Sequence, residues 1–429
     1  MWRRARTSRR PSSPVLGSCA FLCALAAVAR LHAQAPQLIE LTLPDTRAQD
    51  ADTATDPDAW LLDYDVLFSG GWVQYGHGNP ESSQLELERL SPVLRGETAD
   101  GRARFRLELD AGVSRTYDHL FEAWYGHDLG DDGAHRLQIG FLPLPFASEG
   151  ASRTESLPFH GYGFTSFHVS RHDYGLLVEG YPSDTTWWSA GGTLSRGGGF
   201  GRSGDELDHS PQLSLRSVLT SKQDETHAFE GPFVGLSLAY NPSYKEELKV
   251  ENPLYQTVFK TAETKGSDAR WLMLEGGWRE GPFRAGAETL RGNITDVDLP
   301  TGGEDDMDQI TAWTAWMAWN FHGDAPPWER GAWSPYEIEP GASFDERPLE
   351  LAVRYSNSDI DRKFFDSGLT NYTQSTQEVR TFSGALTSYM DEQSRLLLQW
   401  TKTIADDEIK AFGKRNRDSS WVLRWDRWF

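Results

Sequence analysis

The chain has 429 residues, a mean hydropathy of −0.55 and a formal net charge of −21. No run of 18 apolar residues lies downstream of the N-terminal segment, which excludes membrane-spanning helices there, and the acidity argues against nucleic-acid binding. Aromatic residues reach 12%, with 17 tryptophans. In so polar a chain, this content favours the interfacial girdles of a membrane protein over a soluble core.

Residues 1–33 have the layout of a secretory signal peptide: a basic region with five arginines, an apolar region over Val15–Val28 and a cleavage site after Ala33. Removing the six arginines of this segment takes the net charge from −21 to −27. Both cysteines, Cys19 and Cys23, would be removed with it. The mature chain is therefore predicted to have neither disulfides nor thiolate metal sites.

Residues 34–59 are rich in Asp, Thr and Pro without periodicity, which predicts a flexible acidic periplasmic leader. From Trp60 onward, segments of about ten residues alternate in hydrophobicity between turn residues, the pattern of a membrane barrel. The predicted strands lie at 61–75, 84–95, 102–112, 120–128, 135–141, 173–181, 187–195, 212–219, 232–240, 270–278, 283–291, 309–321, 349–357, 378–390, 395–403 and 420–429. The predicted fold is all-β: a transmembrane antiparallel β-barrel of about 16 strands over residues 60–429.

The segment 102–112 alternates most strictly, with apolar side chains at the odd positions from Ala103 to Ala111. The even positions are Arg102, Arg104, Arg106, Glu108 and Asp110. Facing the lumen of a barrel, an arginine row can guide phosphate or carboxylate by bidentate hydrogen bonds. The same arginines can instead form a wall network with the neighbouring acids, and the sequence leaves both interpretations open.

The segment around 310–321 is less clear, because Trp313, Trp316 and Trp319 recur at a spacing that also suits a helix. Connection lengths give a separate test, since external loops of a barrel are long and periplasmic turns short. Long connections are predicted at 142–172, 196–211, 241–269, 292–308, 358–377 and 404–419. The alternation fails at 322–348, a long stretch on the predicted periplasmic side.

The chain ends on an aromatic-rich strand in which Trp421, Leu423, Trp425 and Phe429 share one face. The pattern is typical of the closing strand of an outer-membrane barrel, whose lipid face is apolar. These four residues are the predicted signal for the barrel assembly machinery. An ordinary edge strand of a soluble sheet is the alternative, although an unprotected edge of this composition would favour aggregation.

Several motifs resemble the phosphate-selective porin O and P family. Gly140–Glu149 resembles the entry to that family's third external loop, and Arg171–Gly180 resembles the strand that follows. Gly323–Trp333 and then Pro348–Ser356 resemble its long insertion and the strand after it. The resemblance implies a sixteen-stranded outer-membrane barrel, commonly trimeric, whose third external loop folds inward and whose channel selects anions with inward arginines and lysines.

The predicted function is a passive channel for small inorganic or organic ions in the bacterial outer membrane, in contact with lipid, with a weak anion preference and without cofactor, metal or catalytic site. The predicted pore-lining or constriction residues are Arg102, Arg104, Arg106, Glu108, Asp110, Glu149, Arg153 and Arg171. The alternatives are a plugged structural barrel and a barrel enzyme using Ser166 with His168 or Ser170 with His172. The acidic cluster at 304–308 lacks the ligand spacing of a calcium loop and is predicted to be a solvated external loop.

Overall fold

A computed structural model describes residues 60–429 apart from 77–82, 111–119, 131–132, 145, 168–171, 184, 196–209, 222–229, 267, 330, 337, 339–342, 344–345 and 392. The predicted signal peptide and acidic leader lie outside the described residues, as does Arg171. Among the described helices, none is both long and apolar enough to cross a bilayer.

Sixteen strands of the described chain form a closed barrel in which each pairs antiparallel with its neighbours and the last pairs with the first. They are β1 (Trp60–Gln74), β2 (Ser83–Thr98), β3 (Ala103–Leu109), β4 (Leu120–Leu129), β5 (His135–Pro143), β6 (His172–Ser183), β7 (Thr186–Ser195), β8 (Ser210–Thr220), β9 (Gly231–Asn241), β12 (Asp268–Glu280), β13 (Phe283–Asp298), β14 (Glu304–Asn320), β17 (Leu349–Ile360), β18 (Glu378–Asp391), β19 (Ser394–Ile409) and β20 (Arg415–Trp428). Two small hairpins lie outside the barrel sheet: β10 (Lys245–Glu251) with β11 (Thr257–Lys265), and β15 (Trp328–Glu329) with β16 (Ala332–Trp333). The short helices are α1 (Ser148–Ala151) and α2 (Lys363–Asp366).

Each of the sixteen predicted strands overlaps one barrel strand, and the fold-class prediction is confirmed. The tryptophan-rich segment is a strand, because Trp316 is 5% exposed and inward whereas Trp313 and Trp319 are 43% and 50% exposed. Two connection predictions were wrong. Most of 292–308 and 404–419 is strand, with turns only at 299–303 and 410–414. These hairpins continue beyond the apolar belt. There the outward face becomes polar while buried inward residues such as Ile294, Met307 and Ile409 are apolar, so the alternation that predicts a membrane strand is lost.

The outward face of the barrel is apolar. On β9, for example, Val234, Leu236 and Leu238 are 56%, 41% and 42% exposed, while the alternating Phe233 and Ser237 are buried. The same alternation recurs on β8, β12 and β17. A closed barrel with apolar residues outside and polar residues inside is the architecture that spans the bacterial outer membrane.

Segments of the chain itself fill part of the lumen. The third external loop, residues 144–171 (L3 below), folds inward, and its residues Leu144, Leu157, Phe159 and Phe164 are at most 1% exposed. A continuous apolar cluster joins L3 to inward side chains of the wall and to the β10–β11 hairpin. Because the outside faces lipid, the packed core of this protein lies inside the barrel.

The segment 321–348 begins at the barrel end that carries the short turns and the C-terminus, which is the periplasmic end in barrels of this type. Trp328 stacks on the inward Phe233 at 4.8 Å between ring centroids. The backbone N–H of Trp333 donates to Ser152 Oγ of L3 at 2.8 Å. The periplasmic insertion and the external loop therefore meet inside the barrel.

Candidate functional site: the L3 constriction

Inward arginines of the barrel wall hold L3 in place. Three of them, Arg284, Arg395 and Arg424, each donate to a backbone carbonyl of the loop. Arg89 donates to the carboxylate of Glu155. Arg354 donates both to a carboxylate and to a backbone carbonyl of the loop. An irregular loop inside a barrel has no neighbouring strand to satisfy its carbonyls, and a buried carbonyl without a donor is costly. The guanidinium groups supply those donors.

Arg354 shows how tight this anchoring is. Its Nη1 donates to Glu149 Oε1 and to the Gly161 carbonyl, both at 2.7 Å, and its guanidinium lies 4.3 Å from the ring centroid of Phe159. The side chains of Arg354 and Glu149 are 0% and 1% exposed. A Cβ atom at Gly161 would clash with the Pro253 carbonyl of the β10–β11 hairpin, so L3 is packed from both sides at this point.

A second group of charges lies where L3 passes the wall formed by β2, β3 and β4. Arg153 of L3 approaches Glu108 at 3.0 Å and Glu122 at 3.7 Å. Arg106 contacts the same two carboxylates at 2.6 and 3.1 Å. Arg89 also pairs with Glu108. We call Arg106, Glu108, Glu122 and Arg153 the constriction cluster.

Access to water differs sharply within the constriction cluster. The side chains of Arg153 and Arg106 are 29% and 13% exposed, whereas those of Glu108 and Glu122 are 0% and 6% exposed. Arg153 is thus the charge of the cluster with the most access to water, and Glu108 has none. The group is neutral in sum, yet its most water-accessible charge, that of Arg153, is positive.

Glu155, the L3 carboxylate next to the constriction cluster, is ionised. Burial raises the pKa of Glu155, but the charges of Arg89, Arg153 and Arg424 outweigh it and hold the pKa well below its usual range. For Arg153, burial lowers the pKa, and the neighbouring Glu108 and Glu155 more than reverse this, so that it lies above its usual value. Both charges on the loop side are therefore fixed at physiological pH.

Toward the periplasmic mouth, the wall charges are paired and more evenly exposed. Arg104 contacts Glu97 at 2.8 Å, with side chains 36% and 46% exposed. Arg95 contacts Asp65 at 2.9 Å. Arg102 donates to the Gly130 carbonyl at 3.1 Å. The arginine row predicted from residues 102–106 is therefore inward and also bound to its neighbours.

The structure places the remaining predicted residues as follows. Glu149 is an L3 anchor bonded to Arg354 rather than a water-facing group, and Asp110 follows the end of β3. The anchors Arg89, Arg284, Arg354, Arg395 and Arg424 were not among the predicted site residues. Their inward position follows from strand alternation, but no sequence pattern predicts which loop carbonyls they bind.

The residues raised for catalysis and metal binding are also placed. Ser166 is buried inside the barrel, and His172 lies 3.6 Å from Glu122, whereas His168 and Ser170 lie outside the described residues. Lys363 Nζ contacts Asp305 at 3.1 Å within the acidic cluster at 304–308. Within the described residues, no group of three or more His, Cys, Asp or Glu side chains could hold a metal ion.

The closing strand places Trp421, Leu423 and Trp425 on the outward face, opposite the buried Val422 and Asp426. The backbone N–H of Phe429 donates to the Val66 carbonyl at 3.0 Å, and that of Val66 donates in return at 3.1 Å. The last residue therefore closes the barrel against the first strand.

A closed sixteen-stranded barrel with an apolar outer belt and an inward-folded third loop has the porin fold. No protein-family model matches the sequence, and no curated protein matches it. Among solved structures, the chain is similar to the anion-selective porin from Comamonas acidovorans, with 10% identity, a TM-score of 0.52 and coverage of 86% of this chain and 100% of that one.

Two further solved structures show the same fold. The outer membrane channel DcaP of Acinetobacter baumannii is 10% identical, with a TM-score of 0.52 over 87% of this chain and 99% of that one. Salmonella typhi OmpF, in complex with daunomycin, is 9% identical, with a TM-score of 0.51 over 86% and 97%. At these identities the similarity is one of fold.

Proposed function

We propose that this protein is an outer-membrane porin through which small solutes diffuse passively along a narrow path on the inner wall of β1–β6. The observation that carries the proposal is the distribution of water access inside the barrel. Inward charges on the far wall, such as Arg284 with Glu350 and Arg216 with Glu275, are at most 1% exposed. Arg104, Arg106 and Arg153 retain access to water along one wall.

We further propose a weak anion preference, for small carboxylates or phosphate-like ions. Arg153 and Arg106 have more access to water than the carboxylates that they contact, and guanidinium groups bind such anions by paired hydrogen bonds. The preference is weak because the carboxylates behind cancel most of the field at longer range. The resemblance to the phosphate-selective porin O and P family supports this proposal and that of a homotrimer, and the structural similarity to an anion-selective porin is consistent with it.

Planar-bilayer recording of the refolded mature chain tests the proposal. We expect discrete conductance steps and, under a salt gradient, a zero-current potential on the anion-selective side. The double variant Arg106→Ala with Arg153→Ala should move that potential toward cations. Arg270→Ala, on the outward face of β12, removes a charge outside the lumen and serves as the control.

Each failure has a distinct meaning. Absence of steps under any salt gradient would refute the channel. A wild-type channel that is already cation-selective, or a double variant with unchanged potential, would refute the anion preference and leave the channel intact.

The second candidate is a plugged structural barrel, which is favoured by the contact of Trp333 with Ser152 across the lumen. A silent wild-type protein that conducts after residues 325–336 are replaced by a short glycine–serine linker would establish this alternative. An equally silent linker variant would leave L3 as the remaining barrier.

A further inference from the structure

Trp124 of β4 is an inward aromatic residue beside the constriction cluster. The adjacent Tyr125 is 43% exposed and outward, whereas Glu122, two residues before Trp124, is buried, so alternation directs Trp124 inward with Glu122. In the register of the sheet, Trp124 is directly opposite Arg106 of β3, and such pairs have Cβ atoms about 4.5–5.5 Å apart. Trp124 is only half-buried. Part of its indole therefore lines the lumen next to a guanidinium group.

One carboxylate holds the indole and the guanidinium side by side. Glu122 Oε2 accepts from Trp124 Nε1 at 3.2 Å and lies 3.1 Å from Arg106 Nε. A Cβ atom at Gly126 would lie 3.4 Å from Cζ3 at the other end of the indole, so the ring extends along the strand from Glu122 to Gly126. Because the indole N–H is already bonded, what Trp124 offers to a solute is ring surface.

The wall on the other side of Trp124 is apolar. Leu142, Leu144 and Leu177 form a buried cluster against which Trp124 packs. These three leucines are at most 3% exposed, so the indole is the member of this group that meets water. The constriction therefore has a cationic side at Arg106 and a flat apolar side next to it.

The two guanidinium groups keep N–H donors for a solute. Arg106 bonds to Glu108 and Glu122 through Nε and Nη2, and among the described residues its Nη1 has no hydrogen-bond partner. Arg153 bonds to Glu108 through Nη2, and its Nη1 lies 3.7 Å from Glu122, beyond hydrogen-bond length. Because the constriction cluster is neutral in sum, a bound monoanion leaves one excess negative charge and a dianion two. The site therefore suits a carboxylate better than a doubly charged phosphate.

We propose that the constriction binds aromatic monocarboxylates, a substrate class that rests on the proposed function of an anion-preferring channel. The carboxylate accepts hydrogen bonds from Arg106 and Arg153, and the ring stacks on Trp124. A hydroxylated solute such as a sugar would meet only an engaged indole N–H and buried leucines on that side, with no acceptor for its hydroxyl groups. Trp124 is therefore the residue that distinguishes a ring-bearing carboxylate from acetate or chloride.

The test measures how benzoate and cyclohexanecarboxylate reduce the chloride current of the refolded mature chain in planar bilayers. Both carry one carboxylate and a six-membered ring, but only benzoate is flat and aromatic. The half-blocking concentration of benzoate should be about three- to tenfold lower, the factor that aromatic stacking supplies. Benzylammonium, which has the same ring and the opposite charge, should not block at that concentration.

Variants assign the preference for benzoate to the ring of Trp124. Trp124→Leu should bring the two half-blocking concentrations within about twofold of each other, whereas Trp124→Phe keeps a ring without the N–H and should retain the preference. Trp278→Leu is the matched control. Trp278 is 42% exposed on the outward face of β12, and its indole also donates to a carboxylate two residues away, that of Glu280 at 3.1 Å. The control should behave as wild type does.

In an anion-selective wild-type channel, equal half-blocking concentrations of benzoate and cyclohexanecarboxylate would overturn this inference and leave the proposed function intact. Block by benzylammonium at the benzoate concentration would do the same. So would a preference for benzoate that persists in Trp124→Leu, or one that is lost in Trp124→Phe or in Trp278→Leu. Should Trp124→Leu fail to fold, the wild-type comparisons still decide the matter. Absence of conductance steps, or a cation-selective wild type, would instead refute the proposed function and this inference with it.

Discussion

Removing the charge of Arg354 should loosen L3 and make the channel noisy. In Arg354→Met the Glu149 carboxylate stays buried and loses the partner that lies 2.7 Å away. Breaking one side of a buried ion pair costs about 3–5 kcal/mol. The Gly161 carbonyl loses its donor as well. Since about 1.4 kcal/mol corresponds to a factor of ten, the released population of L3 should rise by at least about 100-fold.

Single-channel recording measures this directly, as a larger mean conductance with excess open-channel noise. The matched control is Arg354→Met combined with Glu149→Gln, because replacing both members of a buried pair by neutral groups is often close to neutral. The amide oxygen of the introduced glutamine can still accept from the Gly163 N–H, which lies 3.0 Å from Glu149 Oε2 in the wild type. Quiet, wild-type currents in the single variant, or equal noise in both variants, would show that this pair does not hold the loop.

Three further outcomes are expected. The pKa of Glu155 is low in the folded protein, so its stabilisation of L3 is complete above the unfolded pKa of about 4.5 and is lost only as pH falls through the lower folded pKa. Conductance should therefore be equal at pH 7 and pH 5. A change in that window that Glu155→Gln abolishes would contradict this. Phe429→Asp places a charge on the closing strand and should prevent outer-membrane assembly while export continues, so normal variant levels in the outer-membrane fraction would refute it. Trp333→Ala removes a side chain that is 2% exposed and should lower the free energy of unfolding by about 3–5 kcal/mol. A melting temperature equal to that of the exposed-site control Trp313→Ala would show that the insertion does not pack as described.

The barrel could be predicted because the alternation of each membrane strand is visible in the sequence of that strand alone. Each strand is apolar toward lipid, and most strands carry polar residues toward the lumen, so local alternation was enough to find all sixteen. The contents of the lumen carry no comparable periodicity. Glu149 and Arg354 are 205 positions apart, and the sequence around either residue does not predict their contact. The small hairpins β10–β11 and β15–β16 were missed for the same reason, since they are short and only part of each packs against the interior.

Backbone hydrogen bonding explains why so many inward arginines are present although the chain is strongly acidic. L3 crosses the lumen without joining the sheet, so its carbonyls need donors from side chains. Arginine has five N–H donors in a rigid fork, and one guanidinium can serve a carboxylate and several carbonyls together. Arg395 does this with Asp426 and with the carbonyls of Thr154, Glu155 and Leu157.

Arg284, Arg354 and Arg395 therefore serve to hold the loop, and buried carboxylates match their charge. Arg153 and Arg106 beside L3, and Arg104 nearer the periplasmic mouth, keep access to water. The net charge of the chain, −21, says little about the ion that passes. Asp308 of the external cluster 304–308 is six residues along β14 from Thr314, which contacts Thr165 of L3. At about 3.3 Å per residue this is about 20 Å, more than the Debye length of about 8 Å. Selectivity in such a pore is set by the few charges that packing leaves exposed.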